Sequence, residues 1–291
     1  MTSTTEMVAT RDGLQLQERR WPAVGEARGS VLLIHGLGEH SGRYERAGTI
    51  LAATGLDVVG LDLRGFGGSG GRRGHVDSME TWLDDIQDRL EARRTETAGR
   101  PVVLMGHSMG GLVCLSYAES DRRQPDLLIL SSPALAADLP AWKQSLAKVL
   151  GRVVPTISVK NGLDGEVLSR DPAVGVDYVA DPLNVHSSTT GLARVLLDAQ
   201  ERAIRDVGRV RVPTLVTHGG DDRLVPTASS EILATVPGVE RRVYPGLRHE
   251  TLNEPEGPQV AADMAVWIGA HLAPVEPALG AEEASASDVP G

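Results

Sequence analysis

A serine flanked by glycines stands directly after an apolar run, where it could act as a nucleophile. Residues 102–105 are all apolar and lead into Gly106-His107-Ser108-Met109-Gly110, a Gly-x-Ser-x-Gly motif. A sharp turn from strand to helix exposes the serine hydroxyl in such a motif, and small residues on either side let the chain segments pass. The bare motif also occurs as a simple glycine-rich connector. The strand-like run before it and the helical run after it favour Ser108 as a nucleophile.

An aspartate and a histidine follow Ser108 along the chain and could complete a catalytic triad. A serine hydroxyl needs a base to take its proton and an acid to orient that base. His249 follows a predicted late strand, in a loop that can bring an imidazole over the serine. We favour Asp222 as the acid because it directly precedes Arg223-Leu224-Val225-Pro226, and its neighbour Asp221 is the alternative. The chain order Ser, Asp, His is that of the α/β-hydrolases.

Two backbone amides are expected to stabilise the negative charge that develops on the substrate's carbonyl oxygen. The Met109 N–H is one candidate by its position after the serine. The Leu37 N–H is the second, in the loop His35-Gly36-Leu37-Gly38 that ends an early strand. Loss of one such donor typically costs about 3 kcal/mol of transition-state stabilisation. His35 is expected to pack or hydrogen-bond within this loop, and we do not count it as a catalyst.

Other chemistries have weak support in the sequence. The glycine-rich segment 65–71 follows a strand but lacks the Gly-Lys-Ser/Thr ending of a phosphate-binding loop and the spacing of a dinucleotide-binding loop. We expect it to form a turn and part of a pocket wall. The histidines and carboxylates show no metal-ligand spacing such as His-Glu-x-x-His. We therefore predict no cofactor and no metal.

Composition narrows the classes of partner. The 291 residues carry a formal net charge of −10, with no basic run, which argues against a nucleic-acid partner and favours a small amphiphilic or neutral substrate. The single cysteine, Cys114, excludes an intrachain disulfide and is expected to be buried. No apolar stretch reaches the roughly 20 residues that span a bilayer, and the start does not read as a secretory signal. We expect a cytoplasmic protein, with loose membrane contact as an open alternative.

Short apolar runs alternate with helical patterns, which predicts a doubly wound, mostly parallel sheet with helices on both faces. Predicted core strands lie at 31–34, 58–61, 102–105, 127–130 and 214–217, with a further strand at 243–244. Predicted helices lie at 44–53, 78–94, 109–119, 228–236 and 258–271. Residues 6–10 and 14–21 read as an edge hairpin that turns at Asp12-Gly13. The predicted class is an α/β-hydrolase fold with an eight-stranded sheet and a helical cap insertion.

The cap is predicted from the interval 134–210, where no run continues the sheet; residues 1–133 and 211–273 form the core. Apolar residues recur there at helical spacing: Trp142, Leu146, Val149, Leu150 and Val153. This face could roof a pocket, touch lipid or pack against the sheet. The tail 274–291 is rich in Ala, Pro, Glu and Ser, and we expect it to be disordered. The oligomeric state does not follow from the sequence.

These motifs resemble the monoacylglycerol lipases of the α/β-hydrolase superfamily, particularly the actinobacterial ones. The resemblance rests on the segment from His35 to Tyr44, the serine motif, and the segments around Asp222 and His249. The resemblance implies hydrolysis of a monoacylglycerol through an acyl-enzyme, without a cofactor, by the triad and the amides already named. It also implies that Glu39 and Arg43 contact the glycerol head group; a loop-bracing ion pair is the alternative.

One departure from the family pattern lies after the second core strand. The family commonly reads Asp-His-Arg-Gly-His-Gly, whereas this chain has Leu63 and Phe66 at the two histidine positions. Neither position belongs to the triad, so we expect altered packing and an altered pocket wall rather than loss of hydrolysis. Two other functions stay open at this point: an esterase or lysophospholipase with the same triad, and a binding protein that has lost turnover.

Overall fold

An eight-stranded sheet forms the centre of the molecule, and the computed structural model describes residues 2–136, 139–162 and 164–272. In chain order the strands are β1 (Thr4–Ala9), β2 (Gln15–Trp21), β3 (Gly29–Ile34), β4 (Leu56–Leu61), β5 (Val102–His107), β6 (Leu127–Ser131), β7 (Ser158–Lys160), β8 (Ser187–Thr189), β9 (Thr214–Gly219) and β10 (Val239–Tyr244). Across the large sheet the strand order is β1-β2-β4-β3-β5-β6-β9-β10, with β1 and β2 antiparallel to their neighbours and all other pairs parallel. A separate antiparallel pair, β7 and β8, lies within the interval 134–210. The predicted fold class is confirmed.

Helices cover both faces of the sheet. The α-helices are α1 (Glu45–Ala53), α2 (Met79–Glu96), α3 (Met109–Ala118), α4 (Ala141–Val153), α5 (Pro172–Ala180), α6 (Thr190–Asp206) and α7 (Gly257–His271). Alternate residues of each core strand face opposite sides. In β3, Leu32 and Ile34 join the core cluster that contains α2, α3 and α6, whereas Val31 and Leu33 join the cluster with α1 and α7. An apolar layer therefore packs on each face of the sheet. Cys114 is buried in the layer that contains α2, α3 and α6.

Local signals account for most of the element boundaries. The hairpin of β1 and β2 is confirmed, and its turn places Gly13 at φ +83°, which glycine adopts without strain. Ser78 caps α2 by accepting a hydrogen bond from the Thr81 N–H at 3.3 Å. Thr189 caps α6 in the same way through the Leu192 N–H at 3.1 Å.

The helix predicted at 228–236 is present as Thr227–Thr235, and it is a 3₁₀ helix. The Thr227 carbonyl accepts hydrogen bonds from the Ser230 hydroxyl and the Arg241 guanidinium, so side chains take the place of the backbone donor an α-helix would supply. The Ser229 N–H bonds to the Pro226 carbonyl in the tighter pattern.

The interval 134–210, predicted to be a cap, contains α4, β7, α5, β8 and α6. Helix α6 packs on α3 and α2, and Leu192, Val195 and Ala199 belong to the core cluster, so this end of the insertion merges with the core. The apolar face of α4 is exposed, with Trp142 64% and Val153 72% accessible, so the interpretation that it packs against the sheet is wrong. The tail 274–291 lies outside the described residues. Among those described, no helix is both long and apolar enough to cross a bilayer.

Candidate active site

Ser108 lies at the turn between β5 and α3 in a strained backbone conformation. Its φ of 52° falls in the left-handed region, which a residue with a side chain rarely adopts. The Ser108 N–H donates to the Ser131 carbonyl at 2.9 Å, which ties the turn to β6. The flanking glycines are required by space, because a Cβ on Gly106 would lie 2.3 Å from the Gly110 carbonyl oxygen. The predicted turn is therefore present, and it presents the serine hydroxyl at the carboxyl edge of the sheet.

His249 lies between Ser108 and Asp222. Its Nε2 is 2.8 Å from the Ser108 Oγ, and its Nδ1 is 2.7 Å from the Asp222 Oδ2. Because an ionised carboxylate only accepts hydrogen bonds, Nδ1 carries the proton and Nε2 is free to accept from the serine hydroxyl. The alternative acid, Asp221, is exposed, and its N–H bonds to the Leu247 carbonyl. The structure thus brings Ser108, His249 and Asp222 together and leaves Asp221 outside.

Asp222 accepts four hydrogen bonds within a buried site. Its Oδ1 accepts from the Leu224 and Val225 N–H groups at 2.8 and 2.9 Å, and its Oδ2 accepts from His249 and from the His218 Nε2 at 3.1 Å. Burial alone would raise the pKa of Asp222, but the hydrogen bonds from His218 and His249 outweigh it and lower the pKa. The carboxylate is therefore ionised at neutral pH, as support of an imidazolium requires.

His218 is a partner of Asp222 that the sequence analysis did not single out. Its Nε2 faces two acceptors, the Asp222 carboxylate and the Val225 carbonyl at 3.2 Å, so Nε2 carries a proton. Its Nδ1 contacts the Ser230 hydroxyl at 2.9 Å. A histidine at the end of a buried strand gives no sequence signal that separates this role from packing.

The loop after β3 holds the Leu37 N–H in one orientation. His35 accepts a hydrogen bond from the Leu63 N–H at Nε2, so its Nδ1 is the protonated nitrogen and donates to the Gly36 carbonyl at 2.8 Å. The Gly36 carbonyl and the Leu37 N–H belong to one planar peptide and point in opposite directions, so fixing one fixes the other. Within the described ranges, neither the Leu37 nor the Met109 N–H donates to another protein group. Both are available for a substrate oxygen.

Leu63 and Phe66, which stand at the two positions where the family commonly has histidine, lie beneath this loop. Leu63 and Phe66 are fully buried in the core cluster, and the Phe66 ring meets the His35 ring edge to face with centroids 5.6 Å apart. Burial lowers the pKa of His35, so the ring is neutral. Both side chains therefore pack in the support of the loop, away from the triad.

Glu39 and Arg43 form buried contacts beside the same loop. The Glu39 Oε1 accepts from the Gly36 N–H and from the Tyr44 hydroxyl, both at 2.6 Å. Its Oε2 lies 3.1 Å from the Arg43 Nη1. Burial opposes ionisation of Glu39, but Arg43 overcomes that effect and lowers the pKa to about 2. These contacts match the loop-bracing alternative, while contact with a substrate head group stays a prediction.

Glu250 is a second residue that the sequence analysis missed. It directly follows His249, and its carboxylate binds both terminal nitrogens of Arg43 at 2.8 Å. Burial and the nearby charge of Glu39 raise the pKa of Glu250, and Arg43 opposes them. The two partners are 207 residues apart in the chain, so no local pattern could have paired them.

Comparisons with known proteins find relatives that align over most of the chain. A family model described as serine aminopeptidase, S33, matches residues 25–256. A monoacylglycerol lipase of Mycolicibacterium smegmatis is 36% identical over 89% of this chain and 95% of that protein. A human monoglyceride lipase is 31% identical over 82% of this chain and 80% of its own length. The crystal structure of a Paleococcus ferrophilus monoacylglycerol lipase superposes with a TM-score of 0.81 at 34% identity, over 88% of this chain and 99% of that one.

The fold and the arrangement of Ser108, His249 and Asp222 define a serine hydrolase of the α/β type. The chain belongs to the monoacylglycerol lipase family of the α/β-hydrolases.

Proposed function

We propose that this protein hydrolyses monoacylglycerols to glycerol and a fatty acid through an acyl-enzyme. The observation that carries the proposal is the hydrogen-bonded chain from the Ser108 Oγ through His249 to Asp222, at 2.8 and 2.7 Å. Beside it lie two amides that are unpaired within the described structure, the Leu37 N–H in the loop after β3 and the Met109 N–H at the start of α3. The monoacylglycerol substrate is taken from the relatives, whose names state it.

In the first half-reaction, the Ser108 Oγ attacks the ester carbonyl carbon while the His249 Nε2 takes the hydroxyl proton. The N–H groups of Leu37 and Met109 hold the oxyanion of the tetrahedral intermediate, and Asp222 stabilises the imidazolium. The carbon–oxygen bond to glycerol then breaks, and His249 returns the proton to the departing glycerol oxygen.

In the second half-reaction, water attacks the acyl-enzyme. His249 takes a proton from the water, and the new tetrahedral intermediate collapses to release the fatty acid. His249 then gives the proton back to the Ser108 oxygen.

The resemblance assigns Glu39 and Arg43 to the glycerol head group. Their described polar contacts are all with protein groups, and the Arg43 side chain is 9% exposed. A head-group contact would therefore use only the edge of the guanidinium. Such a contact predicts a higher KM for glycerides, but not for esters without a glycerol group, when Arg43 is altered.

We infer that the exposed face of α4 contacts a lipid surface. Trp142 and Val153 lie on this face, and the charged residues of α4 are all basic. Lys148 is paired with Asp198 and Glu201 of α6, so Lys143 and Arg152 are the basic groups left to meet a lipid head group. An apolar helix face bordered by basic groups is typical of helices that lie in a membrane interface. The other three tryptophans are buried, so Trp142 fluorescence reports on this face.

Vesicle binding tests this contact. On mixing with vesicles of phosphatidylcholine and phosphatidylglycerol, the Trp142 emission is expected to shift to the blue, and a Val149→Ser/Val153→Ser variant should bind at least tenfold more weakly. The matched control is Val266→Ser, because Val266 is 71% exposed on α7 and lies outside the cap. Equal binding of the two variants would contradict the assignment of the contact to α4.

Product release from matched substrates tests the activity. The assay compares a monoacylglycerol, a diacylglycerol and a lysophosphatidylcholine with the same acyl chain, for the unaltered protein and Ser108→Ala. Preference for the monoacylglycerol and an inactive variant are expected. Preference for the lysophospholipid would favour the alternative, since a Bacillus subtilis relative that is 33% identical over 78% of this chain is named a phospholipase. Absence of labelling by a serine-directed fluorophosphonate would indicate a binding protein without turnover.

A further inference from the structure

Three buried side chains connect the two loops that carry the catalytic groups. We call them the Arg43 bridge: Glu39, Arg43 and Glu250. The Arg43 Nη1 contacts both carboxylates, at 3.1 Å to Glu39 and 2.8 Å to Glu250, and its Nη2 contacts the second Glu250 oxygen at 2.8 Å. The three side chains are between 3% and 9% exposed. Glu39 lies in the loop after β3, and Glu250 lies in the loop of His249.

At one end, the bridge holds the loop that carries the Leu37 N–H. Glu39 accepts the Gly36 N–H at 2.6 Å, and its other contact at the same oxygen is the Tyr44 hydroxyl. The Gly36 N–H belongs to the peptide that precedes the one with the Leu37 N–H. His35 fixes the second peptide and Glu39 fixes the first, so both bonds together determine where the Leu37 N–H points.

At the other end, the bridge holds the residue next to the catalytic histidine. Two further hydrogen bonds hold Glu250 in place. Its N–H donates to the Leu168 carbonyl at 2.9 Å, and its carboxylate accepts from the Asn253 side chain at 2.8 Å. The fork of Arg43 binds this carboxylate in two parallel bonds, which fix direction as well as distance. Movement of the His249 loop relative to the Leu37 loop would break at least one of them.

We propose that Arg43 and Glu250 are positioning residues, which hold the Leu37 N–H and the His249 imidazole at the mutual distance that the tetrahedral intermediate requires. A serine hydrolase needs both groups on the same reacting carbonyl at once, and they come from loops more than 200 residues apart. The Arg43 guanidinium also lies over the buried ring of Tyr178 from α5, 4.9 Å from the ring centroid. Low exposure to water keeps the ion pairs strong.

This role rests on the proposed function. It differs from head-group binding in the kinetic constant that it affects. A residue that only binds glycerol acts on KM for glycerides. A residue that sets the geometry of the oxyanion and the base acts on kcat for every ester, with or without a glycerol group. A simple ester such as 4-nitrophenyl butyrate therefore separates the two roles.

The experiment uses two variants that break the bridge in different ways. Glu250→Gln keeps the size of the side chain and removes its charge, whereas Arg43→Lys keeps the charge and removes the fork. The matched control is Asp85→Asn, because Asp85 forms a similar buried two-bond pair with Arg64, at 2.7 and 2.8 Å, outside the site. Titration with a fluorophosphonate counts competent sites, so that kcat refers to folded enzyme only.

Both bridge variants are expected to lose about 10- to 100-fold in kcat on 4-nitrophenyl butyrate and on a monoacylglycerol, with KM changed less than about threefold. An alkylboronic acid, which forms a tetrahedral adduct with the serine, should bind more weakly by a similar factor. Asp85→Asn should lower the melting temperature. It should leave kcat and the affinity for the boronic acid within twofold of the unaltered protein. If Glu250→Gln does not fold, Arg43→Lys carries the same test.

Three results would overturn the proposal. One is a kcat within twofold of the unaltered protein, with only a lower melting temperature. Another is a rise in KM confined to glycerides, which would assign Arg43 to the head group. The third is a loss in Asp85→Asn as large as in the bridge variants. Failure of the proposed function is seen separately, as full activity of Ser108→Ala or absence of glyceride turnover in the unaltered protein.

Discussion

Asp222→Asn is the substitution that tests the chemical reasoning about the triad most directly. In the structure both oxygens of Asp222 accept two hydrogen bonds each, from two backbone amides and two imidazoles. Asparagine offers one oxygen and one NH₂ group that only donates. If its oxygen stays with the amides, the NH₂ group faces the His249 Nδ1, and the imidazole must move its proton to Nε2 to accept the bond. Nε2 can then no longer take the Ser108 proton.

The expected loss is large because the base is in the wrong protonation form rather than out of place. A change of tautomer of this kind reduces kcat by about 10⁴-fold, or about 5 kcal/mol of transition-state stabilisation. The assay is kcat for a monoacylglycerol and for 4-nitrophenyl butyrate at neutral pH. Asp221→Asn is the matched control, since the same chemical change is made one residue away at an exposed side chain. Retention of more than a tenth of kcat in Asp222→Asn, or a comparable loss in Asp221→Asn, would refute the reasoning.

Two further predictions concern stability. Burial raises the pKa of Glu119 to about 8, so the unfolded chain loses this proton at lower pH than the folded one, and stability falls as the pH rises from about 4.5 to 8. Glu119→Gln should remove this fall, with a gain of up to about 5 kcal/mol above pH 8. A gain in thermal melts that does not depend on pH would contradict this prediction. Gly110→Ala would place a Cβ 2.3 Å from the Ile34 carbonyl oxygen. We expect this substitution to lower the free energy of unfolding by about 1–3 kcal/mol, measured by urea denaturation. An unchanged urea midpoint would contradict this, because it would show that the turn accommodates the added methyl group.

The sheet and the serine turn could be predicted because their signals are local. A strand buried on both faces needs a continuous apolar run, and residues 31–34 and 102–105 supply it. The turn at Ser108 needs small neighbours, and the structure shows why, since the chain segments pass within contact distance of Gly106 and Gly110. Each of these features is decided by residues a few positions apart.

The support of the site could not be predicted because it depends on contacts across the fold. Nothing near Arg43 in the sequence indicates a carboxylate 207 residues later, and nothing near His218 indicates that its ring meets Asp222 rather than a core neighbour. The apolar spacing of α4 defined a face, but the same spacing fits burial and exposure equally well. Only tertiary structure distinguishes them.

The choice between Asp221 and Asp222 could have been argued further from the residues that follow them in the sequence. An aspartate oxygen readily accepts the backbone N–H two residues on, and Asp222 does so with Leu224, then with Val225. Those two bonds occupy one oxygen and leave the other to face His249 and His218. The Asp221 side chain is exposed instead, and no N–H of the described residues donates to its carboxylate. The turn after Asp222 therefore selects which of the two carboxylates faces His249.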